Sequence, residues 1–527
     1  MAGAFGGGCD LLRILIFHGY LLRGTGSNIY NAELTRSLVD LGHEVHLFCQ
    51  ARDAADYDFV DAVGRWRDGR LEVERLREPV RCTAYLPDIG RILPVYVADN
   101  YEGFDARPFP LLSDDEIERY ISANVAAIRD VVAAVRPDVA LANHVIMGPV
   151  ILARALEGTI PYAVKIHGSA LEYTLRPHPV RFGPYAREGL ASAAGVLVGS
   201  RYTAESMWEL VGLPDLPART RLLPPGVDVH IFRPRSPEEA KARLGALAAR
   251  LEADPPAWGG SADAATALRE ADPTRDRLVS YVGKLIVSKG VDLLIAAWPL
   301  VVDSVPDARL MIAGFGEYRD ALVLLASALG DGDLATARVI ASRGRELEGG
   351  QRGELRYLAS FLDTLDGAER ERYLKAASAA MGRVHFVGRI EHSDVSDLMG
   401  ASEALVVPST FPEAYGMVLA EAACCGSVPV SAAHSGLAEV TAVLEPAVSE
   451  NLRPQLSFEL GSDVVRQIAG NIAWWLTFAS DTPDAWAQAA ASLGKLARAG
   501  FGWPDVASGV AEAAQGRLGD LPPVPAR

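Results

Sequence analysis

The sequence predicts an α/β protein built from two doubly wound, parallel-sheet domains facing each other across a cleft. Three observations predict it. The chain has 527 residues, enough for two large cores. A pattern of strand, glycine-bearing loop, helix and strand runs from Arg13 to Phe48. The same plan returns from Leu278 to Ala313. Strands joined through helices make open parallel sheets, which bind ligands at the carboxyl ends of their strands.

The first pattern starts with Arg13-Ile-Leu-Ile-Phe17, a buried strand, followed by His18-Gly19 and Gly24-Thr-Gly-Ser-Asn28. A helical pattern with apolar positions at Ile29, Ala32, Leu34, Leu38 and Leu41 ends at Gly42-His43, and Glu44–Phe48 is the next strand. The glycines do not fall as G-x-G-x-x-G, so this is not the dinucleotide fingerprint. Residues 64–110 are rich in Arg, Pro and Tyr and give no clear element. Their arginines suit an acidic acceptor or a membrane surface, but interspersed Asp and Glu favour a solvated face. Ser113-Asp-Asp-Glu116 is a capping signature for a long helix to about Val135. Strands at 137–142 and 162–166 end in Asn143-His144 and His167-Gly168, and one more runs from Gly195 to Val198.

Residues 235–277 read as a connector with a local helical insertion. In the second pattern Lys284 and Lys289 flank a short turn after the strand ending at Val282, where two ammonium groups can converge on a diphosphate. Gly314-Phe-Gly316 after the next strand lets a ligand approach the backbone. Residues 330–382 are an insertion, and Arg383–Val387 resumes the sheet. The stretch Phe411–Gly426 then places Glu413 and Glu421 eight positions apart around an apolar segment. A helix starting near Tyr415 or Gly416 presents unpaired N–H groups to an anion. Eight residues of helix rise about 12 Å, which sets one carboxylate at the helix mouth and the other about two turns deeper. A nucleotide sugar, with hydroxyls at both ends and a diphosphate between, fits that spacing. The plain alternative is a capped helix with one polar residue. Tryptophans 474, 475, 486 and 503 read as packing residues of a helical tail, and the Pro-rich 516–527 as frayed.

Composition narrows the function. A net charge of −16 argues against non-specific nucleic-acid binding. Five cysteines at 9, 49, 82, 424 and 425 give neither a disulfide framework nor metal-ligand spacing, and suit a reducing cytoplasm. Residues 1–10 lack a basic region and Arg13 interrupts the apolar run after them, so no signal peptide is expected. No apolar run reaches the length of a membrane span.

In series, these motifs resemble the retaining glycosyltransferases of family 4, with their GT-B architecture of two Rossmann-like domains. The matching pieces are Gly24-Thr-Gly26 with Gly42-His-Glu-Val45, His167-Gly168, Pro225-Gly-Val-Asp228 with Phe232-Arg-Pro234, Val282-Gly-Lys284 with Lys289-Gly290, Ala313-Gly-Phe-Gly316, Phe386-Val-Gly388, and Pro412-Glu413 with Glu421-Ala-Ala. They occur in the family's order over most of the chain. Lys284 stands where the family usually has arginine, Thr25 where glycine is common, and Pro225 where asparagine is often seen. The insertion at 330–382 is longer than the family norm.

The resemblance implies transfer of a sugar from a nucleoside-diphosphate sugar to an acceptor hydroxyl, with retention by front-face attack and without a metal or other cofactor. His167, Lys284, Lys289 and Glu413 would be catalytic: Glu413 on donor-sugar hydroxyls, Lys289 on the leaving diphosphate, His167 near the transferred sugar. The donor would also meet Gly26, Gly283, Gly314, Gly316, Ile390, Tyr415, Gly416, Met417 and Glu421, with Glu421 on the ribose and the Ile390 backbone on the base. Asn28 and His144 are the acceptor-side candidates. The acceptor is a sugar, a small molecule or a lipid; no nucleic acid partner is expected, and peripheral membrane contact is not indicated. A nucleotide-sugar epimerase and a catalytically inactive sugar-nucleotide-binding protein are the alternatives. The expected domains are 1–234 (acceptor), 235–277 (connector), 278–475 (donor, with the 330–382 insertion) and 476–527 (helices packing back toward the first domain, with the frayed tail).

Overall fold

A computed structural model describes residues 11–97, 103–256 and 258–526. The start of the chain with Cys9, residues 98–102 of the arginine-rich segment, Ala257 and Arg527 lie outside them. The chain divides into two compact units, Met1–Gly226 with Phe501–Arg527, and Val227–Gly500.

Among its described residues the first unit holds eleven strands: β1 (Arg13–Phe17), β2 (Glu44–Phe48), β3 (Ala62–Arg67), β4 (Arg70–Arg75), β5 (Cys82–Leu86), β6 (Ile92–Val95), β7 (Asp105–Pro108), β8 (Val139–Asn143), β9 (Tyr162–Lys165), β10 (Gly195–Val198) and β11 (Thr220–Leu222). Nine form one sheet in the order β11-β10-β9-β8-β1-β2-β5-β3-β4; β6 and β7 pair separately. All neighbours in the large sheet are parallel except β3 and β4. Counted without the β3–β4 hairpin, the order reverses between β1 and β8, which is the switch point where doubly wound sheets bind ligands. Ile14, Leu15, Ile16 and Phe17 are all buried because helices cover both faces of the sheet. The helix Asp114–Val135 opens with the expected capping box: the Ser113 hydroxyl accepts from the Glu116 N–H at 3.2 Å, and the Glu116 carboxylate accepts from the Ser113 N–H at 2.8 Å.

The second unit holds β12 (Arg277–Val282), β13 (Ala308–Ala313), β14 (Val384–Gly388), β15 (Ala404–Val407), β16 (Val428–Ala432) and β17 (Ser457–Phe458). They form one parallel sheet in the order β14-β13-β12-β15-β16-β17, the doubly wound 3-2-1-4-5-6 arrangement. Its switch point lies between β12 and β15.

Four features differ from the sequence reading. The units divide after Gly226, ahead of the expected boundary at 234, and the second extends to Gly500 rather than 475. Residues 235–277 are not a connector. The helices Pro237–Ala253 and Ala264–Glu270 bury Leu244, Leu247, Ala248 and Leu268 against Leu278, Met311 and Val387 of the second sheet. Alanine-rich, charged composition hid a narrow apolar stripe. The unassigned 64–110 segment supplies β3 from Ala62 onward to β7, with a hairpin of alternating charge. The Pro-rich tail is tied down: the Leu222 N–H donates to the Pro522 carbonyl at 2.9 Å, Arg221 reaches the Leu518 carbonyl at 2.8 Å, and Leu521 is buried. Proline cannot join a ladder as donor, but its carbonyl can accept. Among the described residues no helix is long and apolar enough to cross a membrane.

Candidate functional site

Each switch point gathers polar groups, and each is described within its own unit. In the second unit, the loop after β12 carries Lys284 and Lys289, and the loop after β15 carries Glu413. The Lys289 ammonium group pairs with the Glu413 carboxylate. The Ser409 hydroxyl donates to the same carboxylate at 2.6 Å. The Glu413 N–H donates to the Ser435 hydroxyl at 2.9 Å, and its carbonyl accepts from Gly436 at 3.0 Å. Nε2 of His434 donates to the Ser409 carbonyl at 2.7 Å, locking this turn to the Glu413 loop. Glu413 is therefore held from two sides, by Lys289 and Ser409 at its carboxylate and by Ser435 and Gly436 at its backbone.

The helix here is shorter than expected. It spans Met417–Cys425, capped by Gly416 at φ 104°. That left-handed conformation ends the preceding loop, so Tyr415 lies outside the helix, buried, with its phenol pKa pushed up by burial. Glu413 thus stands in the loop, and the expected two turns between the carboxylates are not there. Only the stretch from Met417 to Glu421 is helical, a rise of about 6 Å. Met417 and Gly416 stand at the helix mouth. The Glu421 side chain is 3% exposed and accepts from Nε2 of His392 at 2.9 Å. His392 packs against Phe232, ring centroids 5.0 Å apart. His392 escaped the sequence reading because only the fold brings residue 392 to residue 421.

The glycine loops serve each other. A Cβ on Gly314 would lie 1.9 Å from the Gly283 carbonyl oxygen, and one on Gly316 would lie 2.4 Å from that of Leu285. The chain demands glycine there because two backbone loops touch, whereas the sequence reading assigned these positions to ligand approach. Gly290 is in the same situation, with the Pro408 carbonyl oxygen 2.0 Å from its virtual Cβ. The loops after β12, β13 and β15 are thereby fixed to one another. Tyr281 donates to the Lys284 carbonyl at 2.8 Å. Beyond β14, Ile390 is half-buried. The neighbouring Arg389 N–H donates to Gly259 at 2.8 Å, and its guanidinium lies 4.2 Å from the Trp258 ring centre.

In the first unit the ends of β1, β8 and β9 meet. His18, fully buried, donates from Nε2 to the Leu21 carbonyl at 2.9 Å and lies 3.1 Å from Asn28 Oδ1. Its Nδ1 accepts from Asn31 at 3.0 Å. Asn143 donates to Asn31 Oδ1 at 2.8 Å, and Asn143 Oδ1 accepts from His167 Nε2 at 2.9 Å. The chain of partners fixes neutral Nε2–H tautomers at both histidines. Burial lowers the His18 pKa to about 4; burial, then the neighbouring His144 and Lys165 charges, hold His167 well below the usual value. His144 is buried at φ 70°, its ring 4.5 Å from Tyr96 and 4.9 Å from His167. Neither of its ring nitrogens has a hydrogen-bond partner among the described residues. Asn28 spends both ends of its amide inside the protein, its Nδ2 donating to the Arg23 carbonyl at 2.7 Å. Gly26 opens the helix Gly26–Asp40 with open space around its virtual Cβ, and the left-handed residue of that loop is Gly24 at φ 93°.

Beneath His167 lies Lys165, which sequence reasoning passed over inside an apolar strand. It is buried, its ammonium group donates to the Leu223 carbonyl and sits 5.3 Å from the Tyr30 ring centre, and burial lowers its pKa to about 7. A separate cavity of about 430 Å³ opens beyond β2, β3 and β5, lined by Gln50, Arg52, Arg65, Trp66, Asp88 and Phe104. Two other arginines of this region pair along the surface, Arg67 with Glu72 and Arg75 with Glu78, as on a solvated face. Among the described residues no three His, Cys, Asp or Glu side chains converge as metal ligands do.

Comparison with known proteins agrees with this architecture. The family model described as Glycosyltransferase Family 4 matches residues 24–231, and that described as Glycosyl transferases group 1 matches 267–334 and 361–448. A D-inositol 3-phosphate glycosyltransferase of Frankia alni is 25% identical over 504 residues, covering 92% of this chain and 93% of the relative. Among solved structures, Anabaena Alr3699/HepE in complex with UDP-glucose superposes with a TM-score of 0.55 at 14% identity, over 96% of this chain and 99% of that one. The catalytic domain of starch synthase IV from Arabidopsis thaliana, bound to ADP and acarbose, gives a TM-score of 0.57 at 14% identity, over 97% of this chain and 100% of that one. With two doubly wound units of the GT-B type and both family models matched in order, the chain belongs to glycosyltransferase family 4 and is a glycosyltransferase.

Proposed function

We propose that this glycosyltransferase moves a hexosyl group from a nucleoside-diphosphate sugar to an acceptor hydroxyl with retention of configuration and without a metal. The observation that carries the reading is the Lys289–Glu413 pair at the β12–β15 switch point, beside the mouth of the helix Met417–Cys425. Cleavage of the C1–O bond to the β-phosphate leaves negative charge on the diphosphate. Lys289, with Lys284, supplies countercharge where that charge grows. Glu413, held by Ser409, Ser435 and Gly436, takes donor-sugar hydroxyls. Glu421 takes the ribose. The acceptor oxygen forms its bond to C1 on the face the phosphate leaves, and its proton passes to the departing phosphate oxygen. The acceptor side is assigned to the first unit, with His144 and His167 as its polar groups. The relatives named for D-inositol 3-phosphate make a phosphorylated polyol the first acceptor to try, and Arg52 and Arg65 of the cavity suit its phosphate.

The test is a panel of UDP-, ADP- and GDP-sugars with inositol phosphates, reading nucleoside diphosphate release in the presence of a chelator and the anomeric configuration by NMR. Expected is acceptor-dependent release, unaffected by the chelator, giving a product that keeps the donor's configuration. Lys289→Ala should lower kcat by about 10²–10³. Inversion, or loss of activity to the chelator, would overturn the corresponding part of the reading; sugar conversion without acceptor would favour the epimerase.

A further inference from the structure

The group 1 family model matches residues 267–334 and resumes at 361, passing over 335–360. That stretch is ordered. It holds most of the helix Leu334–Arg343 and the turn Arg345–Glu348. Residues 344–353 form a closed loop. Gly344, at φ 52°, bridges to Gly353, whose carbonyl oxygen would lie 1.7 Å from a Cβ at 344. Inside it, the Gly350 N–H donates to the Arg345 carbonyl at 2.9 Å and the Leu347 N–H to that of Gly344 at 2.9 Å. Such a pinched loop is pre-formed to hold its tip in one place. At that tip the Glu348 side chain, 10% exposed, leaves the loop. Its carboxylate accepts from the Val287 N–H at 2.7 Å. Val287 lies in the turn between Lys284 and Lys289.

We propose that Glu348 is a positioning residue for the diphosphate-binding lysine loop, and that the segment outside the family match exists in part to deliver it. This rests on the donor-site reading above. A carboxylate bonded to a backbone N–H makes a strong, directional contact. It fixes the peptide plane at 286–287, and through the turn Val287–Gly290 it fixes where the Lys289 stem starts. Lys289 then meets Glu413 from a set direction. A second negative charge near a diphosphate site is unfavourable by itself. Arg345, 3.1 Å from the Glu348 carboxylate, offsets it. The contact is thus a fastening that leaves the local charge balanced.

The experiment uses the full chain as wild type, Glu348→Ala, Glu348→Gln and Gly344→Ala. It measures hydrogen exchange of the peptide covering 283–290, and calorimetric binding of UDP, ADP and GDP. Glu348→Ala should speed exchange in that peptide and weaken the bound nucleotide about tenfold. Glu348→Gln keeps an acceptor oxygen and should restore both. Gly344→Ala keeps the carboxylate but forces the loop apart, and should behave as Glu348→Ala. A role confined to stability would lower the melting temperature and leave nucleotide affinity unchanged, which overturns the proposal. So does a Glu348→Gln variant as weak as Glu348→Ala. Wild type binding none of the three nucleotides overturns the donor-site reading and this proposal with it. Wild type binding, with Glu348→Ala binding equally well, overturns this proposal alone.

Discussion

Replacing Glu421 by alanine separates a nucleotide site from a capped helix. The carboxylate is 3% exposed and, among the described residues, receives one hydrogen bond, from His392 at 2.9 Å. A carboxylate has about four acceptor positions. Ribose hydroxyls can therefore add to Glu421 or take over the His392 position. A hydrogen bond to a charged group contributes about 1.5–3 kcal/mol, so its loss weakens binding about 10- to 150-fold. The assay is the shift in melting temperature caused by UDP, ADP or GDP, each at 100 times the wild-type Kd. Wild type should gain about 2.7 kcal/mol, or about 5–11 °C in a domain of roughly this size. With affinity about fiftyfold weaker, the same ligand adds only about 0.6 kcal/mol and the shift falls to about 1–2 °C. Because the readout is a difference with and without ligand, a change in the variant's own stability cancels to first order. An undiminished shift in Glu421→Ala would refute the ribose assignment and leave His392–Glu421 as a structural pair.

Three further outcomes follow, two from the glycine contacts and one from Lys165. Gly26→Ala meets open space and should leave stability unchanged or slightly raised, so a loss of activity at constant melting temperature would show that a ligand needs that room; full activity would remove Gly26 from the donor site. Gly314→Ala, by contrast, drives a methyl into the Gly283 carbonyl and should destabilise the second unit by about 3 kcal/mol, read by denaturant unfolding; a neutral result would refute the backbone contact. For Lys165, the native pKa of about 7 lies below the usual lysine value of about 10.4, so between them the unfolded chain binds a proton the native one does not. Stability from this group is present above the upper value and is lost as pH falls toward 7. Lys165→Met should flatten that dependence, with part of its gain offset by an unpaired Leu223 carbonyl; parallel melting curves for both proteins from pH 7 to 9.5 would refute the buried, neutralised lysine.

The strands were the legible part of the fold. Ile14–Phe17 and Ala404–Val407 are continuous apolar runs, and Leu278–Val282 is broken only by the buried Ser280, because both faces of each sheet are covered, and that burial writes itself into composition. The strand-tip histidines and lysines were legible for a related reason: a polar residue directly after such a run falls at the carboxyl edge. What stayed hidden depends on pairs distant in sequence. His392 meets Glu421, Glu348 meets Val287, and Gly314 meets Gly283 only after the chain has folded. The helical insertion at 235–277 was legible, but the packing of its helices on the second sheet was not, because alanine covers a sheet without a strong apolar signal. The tail was misjudged because proline density signals fraying, while its carbonyls still serve as acceptors for Arg221 and Leu222. Glu413 was singled out from the sequence, but its depth was misplaced, because the left-handed Gly416 delays the helix.

Three of the candidate groups share one property that bears on how the enzyme achieves selectivity. Each already has a partner inside the protein: Glu413 has Lys289 and Ser409, Glu421 has His392, and His167 has Asn143. Ligand binding at these residues is therefore largely an exchange of hydrogen bonds, for which the net gain per contact is small. Exchange has a compensating benefit. A side chain already held in place loses little rotamer freedom when a ligand arrives, so less of the binding energy is consumed in ordering it. The Lys289–Glu413 pair carries this furthest, since a donor can use both members at once. On the proposed donor reading its sugar hydroxyls would replace the ammonium group at Glu413 while its diphosphate would replace the carboxylate at Lys289. A free nucleoside diphosphate satisfies only the lysine and leaves Glu413 without its cation. On this argument the intact nucleotide sugar binds more tightly than the nucleoside diphosphate it releases, and Glu413→Gln narrows that gap by removing the charge the free product would strand.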